Sequence, residues 1–217
     1  MTPRIKFCGI TRAQDAQRAV ELDAWAVGLI FHPASPRRCE RPAAVEIGQE
    51  LRRRAEVVGV WVNPTLEEVV RTAEEVGLTM LQLHGDEGPV FCAELARRTG
   101  CKVIKALRVH SGAEIQSLTS FRTDFHLLDS YVPGVPGGTG ETFAWELARR
   151  HRGKIPLILS GGLRPSNVAE AAEIVRPYAV DVASGVESSP GVKDHALMEE
   201  FAAAVRGVGP AAEANAA

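Results

Sequence analysis

Residues 155–185 read IPLILSGGLRPSNVAEAAEIVRPYAVDVASG, and their reading decides the fold. The stretch opens on an apolar run, turns at Gly161-Gly162, continues with helical spacing of Val, Ala and Ile, and closes on a second apolar run, AVDV. Strand, helix and strand with such short links form a parallel βαβ unit, because parallel strands need a crossover between them. The same alternation runs outward from it. RIKFC (4–8), AWAVGLIF (24–31), EVVGVWV (56–62), TMLQLH (79–84), KVIKAL (102–107) and DFHLLD (124–129) join IPLILS and AVDVAS to make eight strand-like runs. Segments such as TRAQDAQRAVEL, RPAAVEIGQELRRR, TLEEVVRTAEEV, GPVFCAELARRT and KDHALMEEFAAAV carry helical spacing between or after them. Eight units in about 205 residues predict an α/β fold, a single-domain (β/α)8 barrel. The barrel is expected over residues 1–207, with a fraying tail at 208–217. A doubly wound open sheet is the alternative, but eight regular units close more readily than they stay open. The fifth connection, HSGAEIQSLTSFR, allows only a short or irregular helix.

Helix punctuation agrees. Thr65 and Ser166 suit N-caps or near-caps, Pro165 suits a first turn, and Gly77 and Gly100 follow helical patterns as C-terminal stops do.

Composition narrows the function. The 217 residues are 45% hydrophobic and 24% charged with a formal net charge of −2, so no basic field points to nucleic acid. No apolar run approaches the ~20 residues of a membrane span, and MTPRIKF enters a strand at once, leaving no room for a targeting peptide. Cys8, Cys39, Cys92 and Cys101 have neither C-x-x-C spacing nor a zinc-like His neighbour, so no metal site is expected and a reducing cytoplasm suits them. Cys39, Cys92 and Cys101 read as small core hydrophobes. The Arg52–Arg54 run reads as the solvated end of a helix.

In a (β/α)8 barrel, chemistry gathers at the C-terminal ends of the strands. Those ends are polar here: Lys6 and Cys8 on strand one, His32 and the SPRR segment after strand two, Asn63 after strand three. His84 ends strand four, Lys105 and Arg108 close strand five, Asp129 ends strand six, Ser160 strand seven and Ser184 strand eight. Alternation puts Lys6 and Cys8 on one face, and Leu127 and Asp129 on one face. If Cys8 points inward, Lys6 lies one layer deeper and needs a buried partner, for which Asp181 on strand eight is the candidate. GVPGGTGETF, LSGGL and VASGVES each follow a strand, which suits a phosphate-binding rim built from backbone NH groups.

Taken in order, KFCGIT, GLIFHPASPRR, VGVWVN, LQLHGDE, LLDS, PGGTGETFAW, LILSGGLRPSNV and DVASGVESSPGVKDH resemble the phosphoribosylanthranilate isomerases of tryptophan biosynthesis, from Arg4 to about Val205. The resemblance implies an Amadori rearrangement of N-(5-phosphoribosyl)anthranilate to 1-(2-carboxyphenylamino)-1-deoxyribulose 5-phosphate without cofactor or metal. It places the general base on Cys8, the general acid on Asp129 and the anthranilate-contacting cation on Arg37, with adjacent Arg38 leaving that register open. Phosphate contacts fall around Gly138, Gly140, Gly161, Gly162, Ser184 and Gly185. Lys6, Asp181 and His84 are supporting residues read from their strand positions, not from the resemblance. Ala183 departs from the family pattern, which has Ser there. The family includes monomers and homodimers, and no patch in the sequence decides between them.

Ring opening of the furanose needs a proton on its oxygen, and the next step removes a proton from the adjacent carbon. One acid and one base flanking the sugar suffice. A free thiol has a pKa of about 8.5, so Lys6, helix dipoles or a shared proton with His84 are the candidates for tuning Cys8. Asp129 must hold its proton, which burial favours.

Bland readings compete. Cys8 is a small hydrophobe if it faces away from the mouth, Asp129 could cap a loop, His84 could be a packed histidine, and Arg37 and Arg38 could be a solvated pair. Other functions compete too. A ribulose-phosphate epimerase would want His and Asp metal ligands on several strands, and the indole-forming enzyme of the same pathway catalytic Lys and Glu. A non-catalytic phosphate-binding barrel would tolerate loss of Cys8 or Asp129.

Overall fold

A computed structural model of the chain describes residues 2–109, 112–129, 145–151 and 153–209. Eight strands close into one parallel barrel in sequence order. They are β1 (Arg4–Cys8), β2 (Ala26–Ile30), β3 (Glu56–Trp61), β4 (Met80–Leu83), β5 (Lys102–Arg108), β6 (Phe125–Asp129), β7 (Leu157–Ser160) and β8 (Ala179–Val182). Closure is between β1 and β8, where Lys6 pairs with Asp181 and Phe7 with Val182. The expected barrel is therefore present, and the open-sheet alternative is excluded by this pairing.

Helices α1 (Ala13–Glu21), α2 (Arg41–Glu50), α3 (Leu66–Val76), α4 (Pro89–Thr99) and α5 (Gly112–Ser117) follow the first five strands. A helical stretch at 145–148, α6, precedes β7, and α7 (Val168–Val175) and α8 (His195–Arg206) follow β7 and β8. The weak fifth connection is indeed short: α5 gives way to a 3₁₀ turn at Leu118–Ser120. Thr65 caps α3 by accepting from the Glu68 amide, and Gly77 and Gly100 end α3 and α4 in the left-handed conformation. Ser166 lies one residue before the cap of α7, as a near-cap. Asn167 holds the cap position, with its side chain turned back to accept from the Arg164 amide and donate to the Gly162 carbonyl. The α7 cap residue thus pins the glycine turn after β7. Residues 210–217, most of the expected tail, lie outside the described residues.

Strand alternation splits the interior in two. Outward residues such as Phe7, Leu29, Leu81, Leu128 and Leu159 pack against the helices. Inward residues, among them Ala26, Val58, Met80, Ile104, Leu127, Ile158 and Ala179, fill the lumen together with Cys8. The lumen is packed, and only its upper end is polar. Among the described residues, no helix is long and apolar enough to cross a membrane.

Candidate active site

Cys8 ends β1 facing inward and is 5% exposed. One layer below, Lys6 is fully buried, and its ammonium donates to Asp181 Oδ1 at 2.7 Å. Asp181 also accepts from the Ser160 hydroxyl at 3.0 Å through its other oxygen. The carboxylate therefore ties the ends of β1, β7 and β8 together. Burial alone would lower the Lys6 pKa, but Asp181 and Cys8 outweigh it and hold the ammonium above its ordinary value.

The strand register explains how thiol and ammonium fit side by side. Cys8 pairs with Gly28 on β2. A Cβ at Gly28 would stand 2.8 Å from Cys8 Sγ and 3.1 Å from Lys6 Nζ, so only glycine leaves both groups their places. The sequence reading missed Gly28, although a lone glycine inside the apolar run AVGLI signals a close approach of this kind.

Burial pushes the Cys8 thiol above its ordinary value. Lys6 pulls it down, Asp181 pushes it up and Lys193 pulls it down, without reversing the effect of burial. Lys6, named from the sequence as a group able to lower the thiol, does pull it down, but desolvation exceeds the cations and the net direction is upward.

Across the mouth, Asp129 closes β6 next to Ser160 of β7 and Arg108 of β5. Its side chain is 21% exposed, so it stands at the rim rather than sealed among apolar residues, as the sequence suggested it would be. His84 continues the inward face of β4, with Nε2 3.7 Å from Asp129 Oδ2. Burial lowers the His84 pKa, partly offset by Asp129, which favours neutral imidazole at pH 7. His84 Nε2 is buried without a hydrogen-bond partner among the described residues, as is Gln82 Oε1 one layer beneath. Both atoms lie on the inward face of β4. Gln82 was not singled out from the sequence, since an amide inside an apolar run gives no sign of which face it takes.

Arg37 and Arg38 separate cleanly. Arg38 is an exposed partner of Glu40, whereas Arg37 binds Glu187 through Nε at 2.9–3.0 Å and Nη2 at 2.9 Å. The Arg37 stem lies over the turn that follows Cys8, with its Cδ 3.0 Å from where a Gly9 Cβ would be. Of the two, Arg37 is therefore the arginine at the mouth. Glu187 and its second partner Lys193 were not read from the sequence as site residues, because an acid and a base six positions apart in a loop look like ordinary solvated charges.

On the rim at β7 and β8, Gly161 and Gly162 take φ of 96° and 64°, a turn that side-chain-bearing residues rarely make. Ser184–Val186 form a 3₁₀ turn after β8, and Gly185 packs so tightly on the Leu163 carbonyl that a Cβ has no room. The two glycine loops therefore touch. Gly138 and Gly140, the other expected phosphate contacts, lie outside the described residues.

Lys105 is not part of this mouth. It faces the helix layer, where its ammonium meets Glu87 at 2.8 Å and the Gly85 carbonyl at 2.6 Å. A hollow of about 920 Å³ with Arg4, Arg52, Arg53 and Arg54 on its wall lies at the opposite end of the barrel, where the strands begin. That end is the stability face of the fold, so the site is at the other mouth.

The family model for N-(5'-phosphoribosyl)anthranilate (PRA) isomerase matches residues 5–204. The N-(5'-phosphoribosyl)anthranilate isomerase of Geobacter metallireducens is 46% identical over 91% of this chain and 96% of its own length. That of Pseudomonas fluorescens is 47% identical over 94% and 95%. The crystal structure of phosphoribosyl anthranilate isomerase from Thermotoga maritima superposes with a TM-score of 0.86 at 41% identity, covering 94% of this chain and 99% of that one. A second structure, a complex of the enzyme with reduced 1-(o-carboxyphenylamino)-1-deoxyribulose 5-phosphate, gives 0.83 at 38% identity over 94% and 99%. A barrel with a thiol over a buried lysine, a carboxylate at the facing rim and paired glycine loops thus matches known relatives over nearly its whole length, and the chain belongs to the N-(5'-phosphoribosyl)anthranilate isomerase family.

Proposed function

We propose that the chain isomerises N-(5'-phosphoribosyl)anthranilate to 1-(2-carboxyphenylamino)-1-deoxyribulose 5-phosphate in tryptophan biosynthesis, with Asp129 as general acid and Cys8 as general base. The observation that carries this reading is the pairing of an inward thiol at the end of β1 with an inward carboxylate at the end of β6 on one barrel mouth.

Asp129 donates its proton to the furanose ring oxygen. The bond from that oxygen to the anomeric carbon breaks, and the anthranilate nitrogen's lone pair forms an iminium. The cation acidifies the hydrogen on the neighbouring carbon, and the Cys8 thiolate removes it. The released electron pair makes an enolamine, which tautomerises to the ketone. Product and substrate share one formula, so no co-reactant is needed. His84, neutral and 3.7 Å from Asp129, is placed to orient the carboxyl. The raised thiol pKa makes only a small fraction thiolate at neutral pH, but that fraction is a stronger base than an ordinary thiolate.

The other ligand ends follow from the rim. The turns at Gly161-Gly162 and Ser184-Gly185 would take the phosphate through backbone NH groups, with Gly138 and Gly140 from the loop after β6. Backbone donors would carry the load that the Ala183 position, lacking a hydroxyl, does not. Arg37 would take the anthranilate carboxylate, which a guanidinium binds in a fork. A phosphorylated small molecule as the partner suits a chain of formal net charge −2, which carries no global basic field and would hold an anion at a local site. A relative from Thermotoga maritima is described as dimeric, and a monomer or homodimer in a cytoplasmic setting is proposed here.

The test is a fluorescence assay of phosphoribosylanthranilate generated in situ. Cys8→Ser and Asp129→Asn are each expected to lose at least ~10²-fold in turnover while folding normally. A folded variant of either kind with near wild-type turnover ends the assignment.

A further inference from the structure

Three loops meet at Arg37. Its stem crosses Gly9 after β1, its own segment follows β2, and its guanidinium is held by Glu187 from the loop after β8. Glu187 is no surface acid. Its side chain is 4% exposed, and besides Arg37 it accepts from the Lys193 ammonium at 2.9 Å and more weakly from the Gly191 amide at 3.4 Å. Lys193 is itself fully buried at its side chain and donates to the Ala183 carbonyl at 2.9 Å. Glu187–Ser189 and Val192–Lys193 pair as a two-stranded hairpin, and its turn at Gly191 accepts from the Thr11 hydroxyl in the loop after β1. The hairpin therefore begins directly after the Ser184-Gly185 rim and ends locked onto the loops that carry Cys8 and Arg37.

We propose that Glu187 is the positioning residue for Arg37: it fixes the guanidinium plane over the Cys8 turn, so that the remaining NH edge meets the substrate's carboxylate without a search for orientation. The inference rests on the reading of Arg37 as the carboxylate-binding cation. Two features make the hairpin suited to the task. Glu187 uses both oxygens on the guanidinium, and a two-point contact defines a plane where a single one would leave rotation free. Lys193 balances its buried charge, so Arg37, Glu187 and Lys193 sum to one positive charge and the site still attracts an anion. Glu187 touches no reacting atom in this arrangement. Its loss should weaken binding of the ground state and transition state alike, which raises KM and leaves kcat.

Glu187→Gln isolates the effect. The amide oxygen can keep Lys193 as its donor, while the amide nitrogen that replaces the second oxygen repels the guanidinium. The expected result is a KM for phosphoribosylanthranilate raised about tenfold or more with kcat within about threefold, and an unchanged inhibition constant for inorganic phosphate. Arg37→Ala is measured beside it, and the double variant Arg37→Ala/Glu187→Gln is expected to be no worse than Arg37→Ala alone. If Arg37→Ala leaves KM unchanged, the reading of Arg37 itself fails. If Arg37→Ala raises KM and Glu187→Gln does not, the positioning role alone is overturned. Additive losses in the double variant, a fall in kcat with constant KM, or an equal weakening of phosphate each overturn it as well.

Discussion

Two buried lysines on barrel strands look alike in isolation and differ in what they do. Lys6 on β1 and Lys105 on β5 are both nearly inaccessible, and both hold a buried carboxylate, Asp181 at 2.7 Å and Glu87 at 2.8 Å. Half a strand period, one residue, separates their fates. Lys6 shares its face with Cys8 and points into the lumen beneath the mouth, whereas Lys105 lies between the inward residues Ile104 and Ala106 and points out to the helices. Glu87 also accepts from the Asn63 and Gly85 amides, so the Lys105 pair staples the loops after β3 and β4. The Lys6 pair lies under the proposed base, where the ammonium pulls the thiol's pKa down against burial. The same kind of ion pair is thus a loop staple on one face of a strand and lies beneath the proposed base on the other.

Substitution should separate the two. Lys6→Met leaves Asp181 without its cation and is expected to combine a stability loss of ~3–5 kcal/mol with at least a tenfold fall in turnover per folded molecule. Chemical denaturation and the fluorescence assay read the two effects. Lys105→Met should match that stability loss of ~3–5 kcal/mol but keep turnover of the folded fraction within about twofold. A large loss of turnover there would erase the distinction between the faces. The smallest expected effect is at Gly28→Ala, where the added methyl displaces Cys8 Sγ or Lys6 Nζ. Overpacking of this kind costs ~1–3 kcal/mol, and turnover should drop several-fold even in molecules that fold. Unchanged turnover in that variant would mean the thiol and ammonium do not need their present places.

These positions also show what the sequence disclosed. The barrel was legible because its strands are short apolar runs and its polar residues cluster at their ends, where the fold puts chemistry. Alternation alone put Lys6 beneath Cys8, and the need of a buried ammonium for a partner pointed to Asp181, which the β1–β8 register places beside it. Lys105 was grouped with the mouth residues because its position near a strand end is visible in sequence, while its outward face is visible only relative to Ile104 and Ala106. Ser166 reads as a cap or near-cap because Ser and Asn are near-equal candidates one residue apart, and the backbone puts the cap on Asn167. Glu187 and Lys193 escaped because their burial depends on a hairpin folding back over the loops after β1 and β2, a contact across more than 140 residues that no local pattern encodes. The net tuning of Cys8 lies beyond the sequence for a related reason. Its cations can be named from the pattern, but the desolvation that outweighs them is a property of the closed lumen.

The measurement that bears most directly on the account is the pH dependence of Cys8 alkylation by iodoacetamide in a variant carrying Cys39→Ser, Cys92→Ser and Cys101→Ser, since only the thiolate reacts. A thiol whose folded pKa lies above the ordinary value gives an alkylation rate that climbs with pH through the neutral range and levels off only on the alkaline side. Because Lys6 pulls the thiol's pKa down, Lys6→Met should carry that rising limb to higher pH, and Lys105→Met should leave it where it stands. An alkylation rate that is flat from neutral pH upward, or one that Lys6→Met does not move, would contradict a Cys8 thiol held above a buried lysine as the account requires.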